Sequence, residues 1–302
     1  LESDKSPIYQ PLELPLLYEK KVHVVVKRLD LMHPGMQGNK YYKLRYNIQE
    51  AKKSGHTQVL TFGGAYSNHI HATAMACAEA GIQAVGIIRG AVDDPLNPTL
   101  ADAREQGMRL YPLSRSDYRE KQSDRVIAGL RQVFGDFYLI PEGGTNAFAI
   151  RGASEILSHE DASMQVIALP VGTGGTLAGI AASALPHQQV LGFSALKGDF
   201  IRKEVQQLLE AHHINPPKPV EIQTDFHFGG YAKFTPELIG FIKHMQVQAN
   251  LPLDPIYTGK LFFGLLELIR KDYFPKGIKI LALHTGGLQG IRGFNQRFGL
   301  DL

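Results

Sequence analysis

The sequence predicts an α/β protein built on parallel, helix-covered sheet. Three observations carry that reading. Strand-like and helix-like segments alternate from about residue 39 onward, the pattern of repeated βα units. The strand segments are apolar runs without polar alternation, as burial on both faces requires. Glycine-rich turns follow several of them, and in an open parallel sheet those turns are where ligands bind.

The elements follow in order. A helix opens at NKYYKLRY behind Gly38, with Asn39 suited to be its N-cap. Strand QVLTF (58–62) leads into the helical SNHIHATAMACAEA, which ends at Gly81 as a C-cap, and then into strand AVGII (84–88). NPTLADAREQG reads as a helix, MRLYP as a short strand, and Arg115 to Phe134 as one long amphipathic helix before FYLI (137–140). After PEGGTN and another helix come strand VIALP (166–170), the turn and helix VGTGGTLAGIAASAL, strand VLGFS (190–194) and helix FIRKEVQQLLEAHH. PELIGFIKHMQVQA and GKLFFGLLELIRK read as the later helices, and IKILALH (278–284) as the last strand. PEGGTN and the earlier SGH bracket a middle block of about a hundred residues, consistent with a chain that enters a second sheet and returns.

Composition narrows the function classes. The 302 residues are 44% apolar and 20% charged, with a net charge of +3, which is ordinary for a soluble globular protein. Lys and Arg are scattered rather than clustered, so no nucleic-acid partner is expected, and an anionic small molecule suits the charge equally well. Cys77 is the only cysteine, which excludes an intrachain disulfide and fits a reducing compartment. It sits in a small-residue helical run and is expected to pack in the core. LESDKSPIYQPLELP lacks the basic start and apolar stretch of a signal peptide, and LFFGLLELI is too short to span a bilayer. A cytoplasmic protein without membrane contact is the expectation.

Candidate site residues lie at the turns. VGTGGT (171–176) follows a strand and opens a helix, so Gly172, Thr173, Gly174, Gly175 and Thr176 offer backbone N–H groups, hydroxyls and a helix N-terminus to a phosphate. A dinucleotide fingerprint would need glycine where Leu177 stands, and no Walker lysine follows. In FGGAYSNHIHA, Ser67 and Asn68 stand where a strand gives way to a helix, and either could cap it. His69 and His71, two apart on a helix, point about 200° away from each other, so no metal site is expected. Lys40 and Lys43 share a helix face, about 60° apart. Such a pair is either a solvated helix start or a reactive amine with a second cation lowering its pKa. Tyr257, His284 and Thr285, in YTGK and HTGG, are further candidates that are uninformative singly.

Taken in order, GNKYYKLRY, GGAYSNH, IPEGGTN, VGTGGTLAG, YTGK and HTGG resemble the 1-aminocyclopropane-1-carboxylate deaminase/D-cysteine desulfhydrase family, pyridoxal-phosphate enzymes of the tryptophan-synthase-β fold type. The resemblance runs from about Pro15 to Gly290. It implies two open, mostly parallel twisted sheets with helices on both faces (fold type II). Residues 1–50 and 148–302 would form a large domain and 51–147 a small one, with the cofactor in the cleft between them. It implies pyridoxal 5'-phosphate carried by Lys40, with Lys43 a second site lysine, Asn68 on the phenolic oxygen and Gly172–Thr176 on the phosphate. Ser67, with Asn68 and His69 beside it, would meet the substrate. Tyr257 would stand near cofactor and substrate, and Thr285 at the pyridine nitrogen. A homodimer is also implied.

The chain departs from that family in informative places. The deaminases place a tyrosine and a glutamate where His284 and Thr285 stand. A neutral hydroxyl leaves the ring nitrogen largely unprotonated, which favours β-elimination of a good leaving group over cyclopropane opening. Tyr66 and His71 stand where the family tends to have glutamine and arginine, and HFGGYAK (227–233), with Tyr231, differs at a place expected to line the substrate site. The resemblance thus points to a desulfhydrase-like lyase acting on a small amino acid, such as D-cysteine. A deaminase, a racemase or β-replacement enzyme, and a non-catalytic cofactor-binding protein are the alternatives.

Overall fold

The computed structural model describes residues 6–93 and 95–302. The chain begins with strand β1 (Ile8–Pro11), helix α1 (Pro15–Lys20), β2 (His23–Arg28) and α2 (Asn39–Lys53). It continues through β3 (Gln58–Gly63), α3 (Asn68–Ala80), β4 (Gln83–Arg89), α4 (Pro98–Glu105), β5 (Arg109–Leu113), α5 (Arg115–Arg119), α6 (Asp124–Phe134) and β6 (Tyr138–Ile140). Then follow α7 (Ala147–Ser154), β7 (Val166–Val171), α8 (Gly175–Ser183), β8 (Gln189–Ser194), α9 (Phe200–Ala211) and β9 (Glu221–Gln223). The last elements are α10 (Pro236–Ala249), α11 (Thr258–Arg270), β10 (Lys279–His284) and α12 (Gly290–Phe298).

These strands form two sheets. One has six strands in the order β1-β2-β10-β7-β8-β9, and the other has four in the order β5-β4-β3-β6. All pairings are parallel except β1 on β2. The two central strands β3 and β7 are buried at every residue, which is why they read as unbroken apolar runs. A layer containing α2, α3, α7 and α8 packs against both sheets through one shared core. α10 and α11 cover the outer face of the six-stranded sheet, and α6 covers that of the other. This is the α/β architecture with helices on both faces.

Three local expectations are corrected. Arg115 to Phe134 is two helices, because Ser123 starts a new one: its Oγ accepts from the Val126 N–H. Asn39 is not the cap of α2; Gly38 holds that position, and Asn39 is the first helical residue. Strands also precede residue 39. In β2 the charged Lys27 and Arg28 interrupt the apolar pattern, yet both are buried, Lys27 against Asp161 at 2.6 Å and Arg28 against Asp30 at 2.7 Å. β9, only three residues long, also lacked a sequence signal.

Candidate active site

The turns after β3, β6, β7 and β10 emerge at the carboxyl ends of the two sheets, and the start of α2 joins them there. α2 can begin where it does because Gly38 adopts φ +67°: a Cβ at Gly38 would stand 1.8 Å from the Thr285 carbonyl oxygen. The next residue locks the same contact, the Asn39 N–H donating to that carbonyl at 3.2 Å. Lys40 is therefore held beside Thr285 by backbone, from the turn that follows β10.

Neither lysine is a solvated surface group. Lys40 is half-buried, and burial pushes its amine down to about 8. Lys43 is 1% exposed and donates to the Gly143 carbonyl at 2.5 Å and to Thr145 Oγ1 at 3.3 Å. Burial holds Lys43 well below its usual range, and the charge of Lys40 adds to this. Burial alone accounts for the shift of Lys40.

Lys43 reaches the glycine-rich turn. A Cβ on Gly175 would lie 3.0 Å from Lys43 Nζ and 2.8 Å from Thr145 Oγ1. Thr145 Oγ1 in turn bonds Thr173 Oγ1 at 2.7 Å. Gly174 adopts φ +79° at the head of α8, and a side chain at Gly172 would press on the Tyr257 ring at 3.1 Å. Glycine is required here because Lys43, Thr145 and Tyr257 stand against the turn, and the groups drawn together are an amine, two hydroxyls and a helix N-terminus. That is a donor set for a phosphate.

In the turn after β3, Ser67 is the N-cap of α3, its Oγ accepting from the His69 and Ile70 N–H groups. Asn68 accepts at Oδ1 from Gln289 Nε2. His69 points inward. The Thr61 hydroxyl donates to the Ile140 carbonyl at 2.8 Å and so accepts from His69 Nε2 at 2.7 Å. His69 Nδ1 is buried and makes no hydrogen bond of normal geometry. Burial first, then Lys40 and Lys43, keep the imidazole neutral. His71 faces the other way, toward Asp102 at 3.3 Å. No group of three His, Cys, Asp or Glu among the described residues could hold a metal ion. Cys77 is buried in the core, its thiol pushed up to about 12.

Tyr257 stands at the head of α11 because Asp254 organises the turn before it. The Asp254 carboxylate accepts from the N–H groups of Ile256, Tyr257 and Thr258 and from the Thr258 hydroxyl, at 2.8–3.0 Å. Burial, then the neighbouring Tyr231, raise the Tyr257 hydroxyl well above its usual value, so it stays protonated. The two rings lie 6.1 Å apart, centre to centre. Tyr231 itself rides on a turn fastened by Lys260, which donates to the Gly230 carbonyl at 2.7 Å. Thr285 is buried. His284 beside it spans the Pro252 carbonyl at 2.7 Å and Asp30 at 3.1 Å.

The structure thus gathers Lys40, Lys43, the Gly172–Thr176 turn and Tyr257 around one cleft, with Thr285 at its base. Sequence reading missed four residues that shape it. Thr145 stood in a motif already noticed, PEGGTN, while Asn39 was assigned to capping. Asp254 organises its own turn and was passed over there, while Gln289 carried no local signal, since its partners lie in other turns.

The residues fit pyridoxal phosphate: a half-buried amine pushed down to about 8, and a second lysine, two threonine hydroxyls and the N-terminus of α8 drawn together beside it as donors for the phosphate. Comparison with known proteins agrees. The pyridoxal-phosphate dependent enzyme model matches residues 6–286. A Pyrococcus horikoshii protein, provisionally named a 1-aminocyclopropane-1-carboxylate deaminase, is 31% identical, covering 93% of this chain and 91% of its own. The bifunctional D-cysteine desulfhydrase/1-aminocyclopropane-1-carboxylate deaminase of Arabidopsis thaliana, a mitochondrial protein, is 32% identical over 88% of this chain and 72% of its own. The crystal structure of a 1-aminocyclopropane-1-carboxylate deaminase homologue superposes with a TM-score of 0.84 at 27% identity, covering 97% of this chain and 93% of the other. With a model match over residues 6–286, the chain belongs to the family of pyridoxal-phosphate-dependent enzymes.

Proposed function

We propose that the enzyme catalyses α,β-elimination from a small amino acid, most like D-cysteine desulfhydrase, taking cysteine and water to pyruvate, sulfide and ammonia. The observation that carries this is the neutral Thr285 at the cleft base. The two nearby carboxylates are already engaged, Asp30 by Arg28 and His284, and Asp254 by the start of α11. Neither is free to hold a proton on a ring nitrogen, so the site suits loss of a good leaving group better than ring opening.

In this reading Lys40 carries the cofactor, Lys43, Thr145 and the Gly172–Thr176 turn hold its phosphate, and Asn68 and Thr285 meet its ring. When bound, pyridoxal phosphate supplies an electron sink for the pair left at Cα. Ser67 already caps His69 and Ile70, so its hydroxyl proton, the Asn68 N–H and the α3 N-terminus are what remain for the substrate carboxylate. The Lys40 amine, pushed down to about 8, takes the Cα proton near neutral pH. Lys43, beside the phosphate turn, adds a second donor for the anion, and burial alone keeps the Lys40 amine low. Tyr257, held protonated, donates a hydrogen bond to the departing sulfur, and Tyr231 and His69 line the pocket.

We further propose a larger body of residues 1–50 and 148–302, a smaller one of 51–147, and a homodimer acting in the cytoplasm. The lone buried Cys77 supports a reducing compartment. No helix among the described residues is long and apolar enough to cross a membrane.

The test is a substrate panel on purified, cofactor-loaded protein: sulfide and pyruvate from D- and L-cysteine, against 2-oxobutyrate from 1-aminocyclopropane-1-carboxylate. Sulfide and pyruvate in equal amounts, lost in Lys40→Ala, support the proposal. 2-Oxobutyrate alone would replace it with the deaminase reading, and no keto acid from any substrate would sink both.

A further inference from the structure

We propose that Gln289, backed by Thr99, is a positioning residue that decides which end of the Asn68 side-chain amide faces the cofactor. The proposal rests on the reading that Asn68 bonds the cofactor's phenolic oxygen. An asparagine amide has two ends of nearly equal shape and opposite hydrogen-bonding character. The NH2 end stabilises an ionised phenolic oxygen, and the carbonyl end repels it. Asn68 alone therefore does not guarantee the contact; something must orient it.

The orienting groups come from elements far apart in the chain. Gln289 Nε2 donates to Asn68 Oδ1 across a sequence separation of 221 residues. Gln289 Oε1 accepts from Thr99 Oγ1 at 3.2 Å, across a separation of 190. Thr99 is fully buried at the start of α4, so its hydroxyl has no solvent alternative. Proton donation then runs in one direction, from Thr99 to Gln289 to Asn68, and leaves the two Nδ2 hydrogens of Asn68 as the open donors.

The surroundings favour the same orientation. A Cβ on Gly287 would stand 3.3 Å from Asn68 Nδ2, so the NH2 end lies against the turn that follows β10. A Cβ on Gly290 would stand 3.5 Å from Asn68 Oδ1, so the carbonyl end lies toward the N-terminus of α12, where negative charge is favoured. The NH2 end thus points to the turn that carries Thr285. The packing of α12 on α4 has its own fastening, Arg292 meeting Asp102, a carboxylate that His71 of α3 also meets. Changing Gln289 should therefore alter the orientation of Asn68 more than the fold.

The experiment compares pyridoxal-phosphate-loaded wild type, Gln289→Leu, Gln289→Glu, Thr99→Val and Asn68→Ala by absorption spectrum across pH and by cofactor retention on dialysis, with thermal midpoints of the cofactor-free forms as control. A donated hydrogen bond favours the ionised phenolic oxygen, the form that absorbs in the visible. Gln289→Leu and Asn68→Ala should lower the ratio of visible to near-ultraviolet absorbance, and cofactor affinity, by about tenfold, the scale of one hydrogen bond to a charged group. Gln289→Glu keeps the shape but can only accept, which turns the Asn68 amide over, so it should lose at least as much. Thr99→Val should shift the spectrum the same way by less, with thermal midpoints close to wild type throughout. A shift in Asn68→Ala with wild-type spectra for Gln289→Leu and Gln289→Glu would overturn the relay while leaving the role of Asn68 standing. A wild-type spectrum in Asn68→Ala would overturn that role and the relay together.

Discussion

Asn39 Nδ2 donates to Thr176 Oγ1 over 2.7 Å, joining the helix that carries Lys40 to the first turn of α8 behind the glycine-rich loop. An amide N–H can only donate, so the threonine oxygen accepts and its own proton is left for another acceptor. The helix that carries Lys40 and the Gly172–Thr176 turn are thereby joined by one side-chain contact.

Replacing Asn39 with Ala should loosen that coupling. Cofactor affinity is expected to fall about tenfold, with about 1 kcal/mol lost from the fold, the scale of one hydrogen bond. Equilibrium dialysis and urea unfolding measure the two separately. Unchanged affinity would mean that Thr176 does not depend on Asn39 for its orientation.

Lys40 gives a pH signature. Its folded-state pKa of about 8 lies below the usual lysine value of 10.5. Between those values the unfolded chain binds more protons than the folded one, so the burial penalty is complete below pH 8 and fades as pH rises toward 10.5. Cofactor-free protein should gain stability across that window, and Lys40→Met should flatten part of the gain. Lys260 is also pushed down to about 8, so the difference between wild type and variant isolates Lys40.

Asp254 is 2% exposed and satisfies three backbone N–H groups and one hydroxyl. Asp254→Ala leaves those donors buried and should cost about 3 kcal/mol in denaturant unfolding. It should also lower kcat more than it raises KM, because Tyr257 loses the turn that aims it. Asp254→Asn, which keeps an acceptor oxygen, should recover part of both.

Gly38→Ala tests whether the α2 start must lie against the turn after β10. The new methyl would meet the Thr285 carbonyl at 1.8 Å in a backbone conformation that L-residues avoid. A loss of about 3 kcal/mol or more is expected by thermal or denaturant unfolding. Visible absorbance on cofactor loading should fall with it, since Lys40 is carried by the same turn.

Much of the site was legible in the sequence because its residues cluster in short motifs at strand ends. The glycine-rich turn, a cap at Ser67 or Asn68 and the divergence of His69 and His71 all follow from spacing. The break between α5 and α6 was not legible, because amphipathic periodicity continues across it and only the Ser123 cap interrupts the helix. β2 was hidden by Lys27 and Arg28, whose charges are matched by Asp161 and Asp30 once the chain has folded.

Local pattern determines which segments become strands and helices, and strand-end turns then tell where chemistry can sit. By itself the sequence therefore settled the parallel α/β class and marked residues 172–176 as a candidate phosphate turn. Tertiary structure decided the rest. Whether Lys43 is solvated or buried against Gly143, which oxygen Asn39 meets, and what stands behind Asn68 all depend on contacts between turns of different strands. Those contacts exist only where the carboxyl ends of the two sheets converge, and no local propensity encodes a partner 221 residues away.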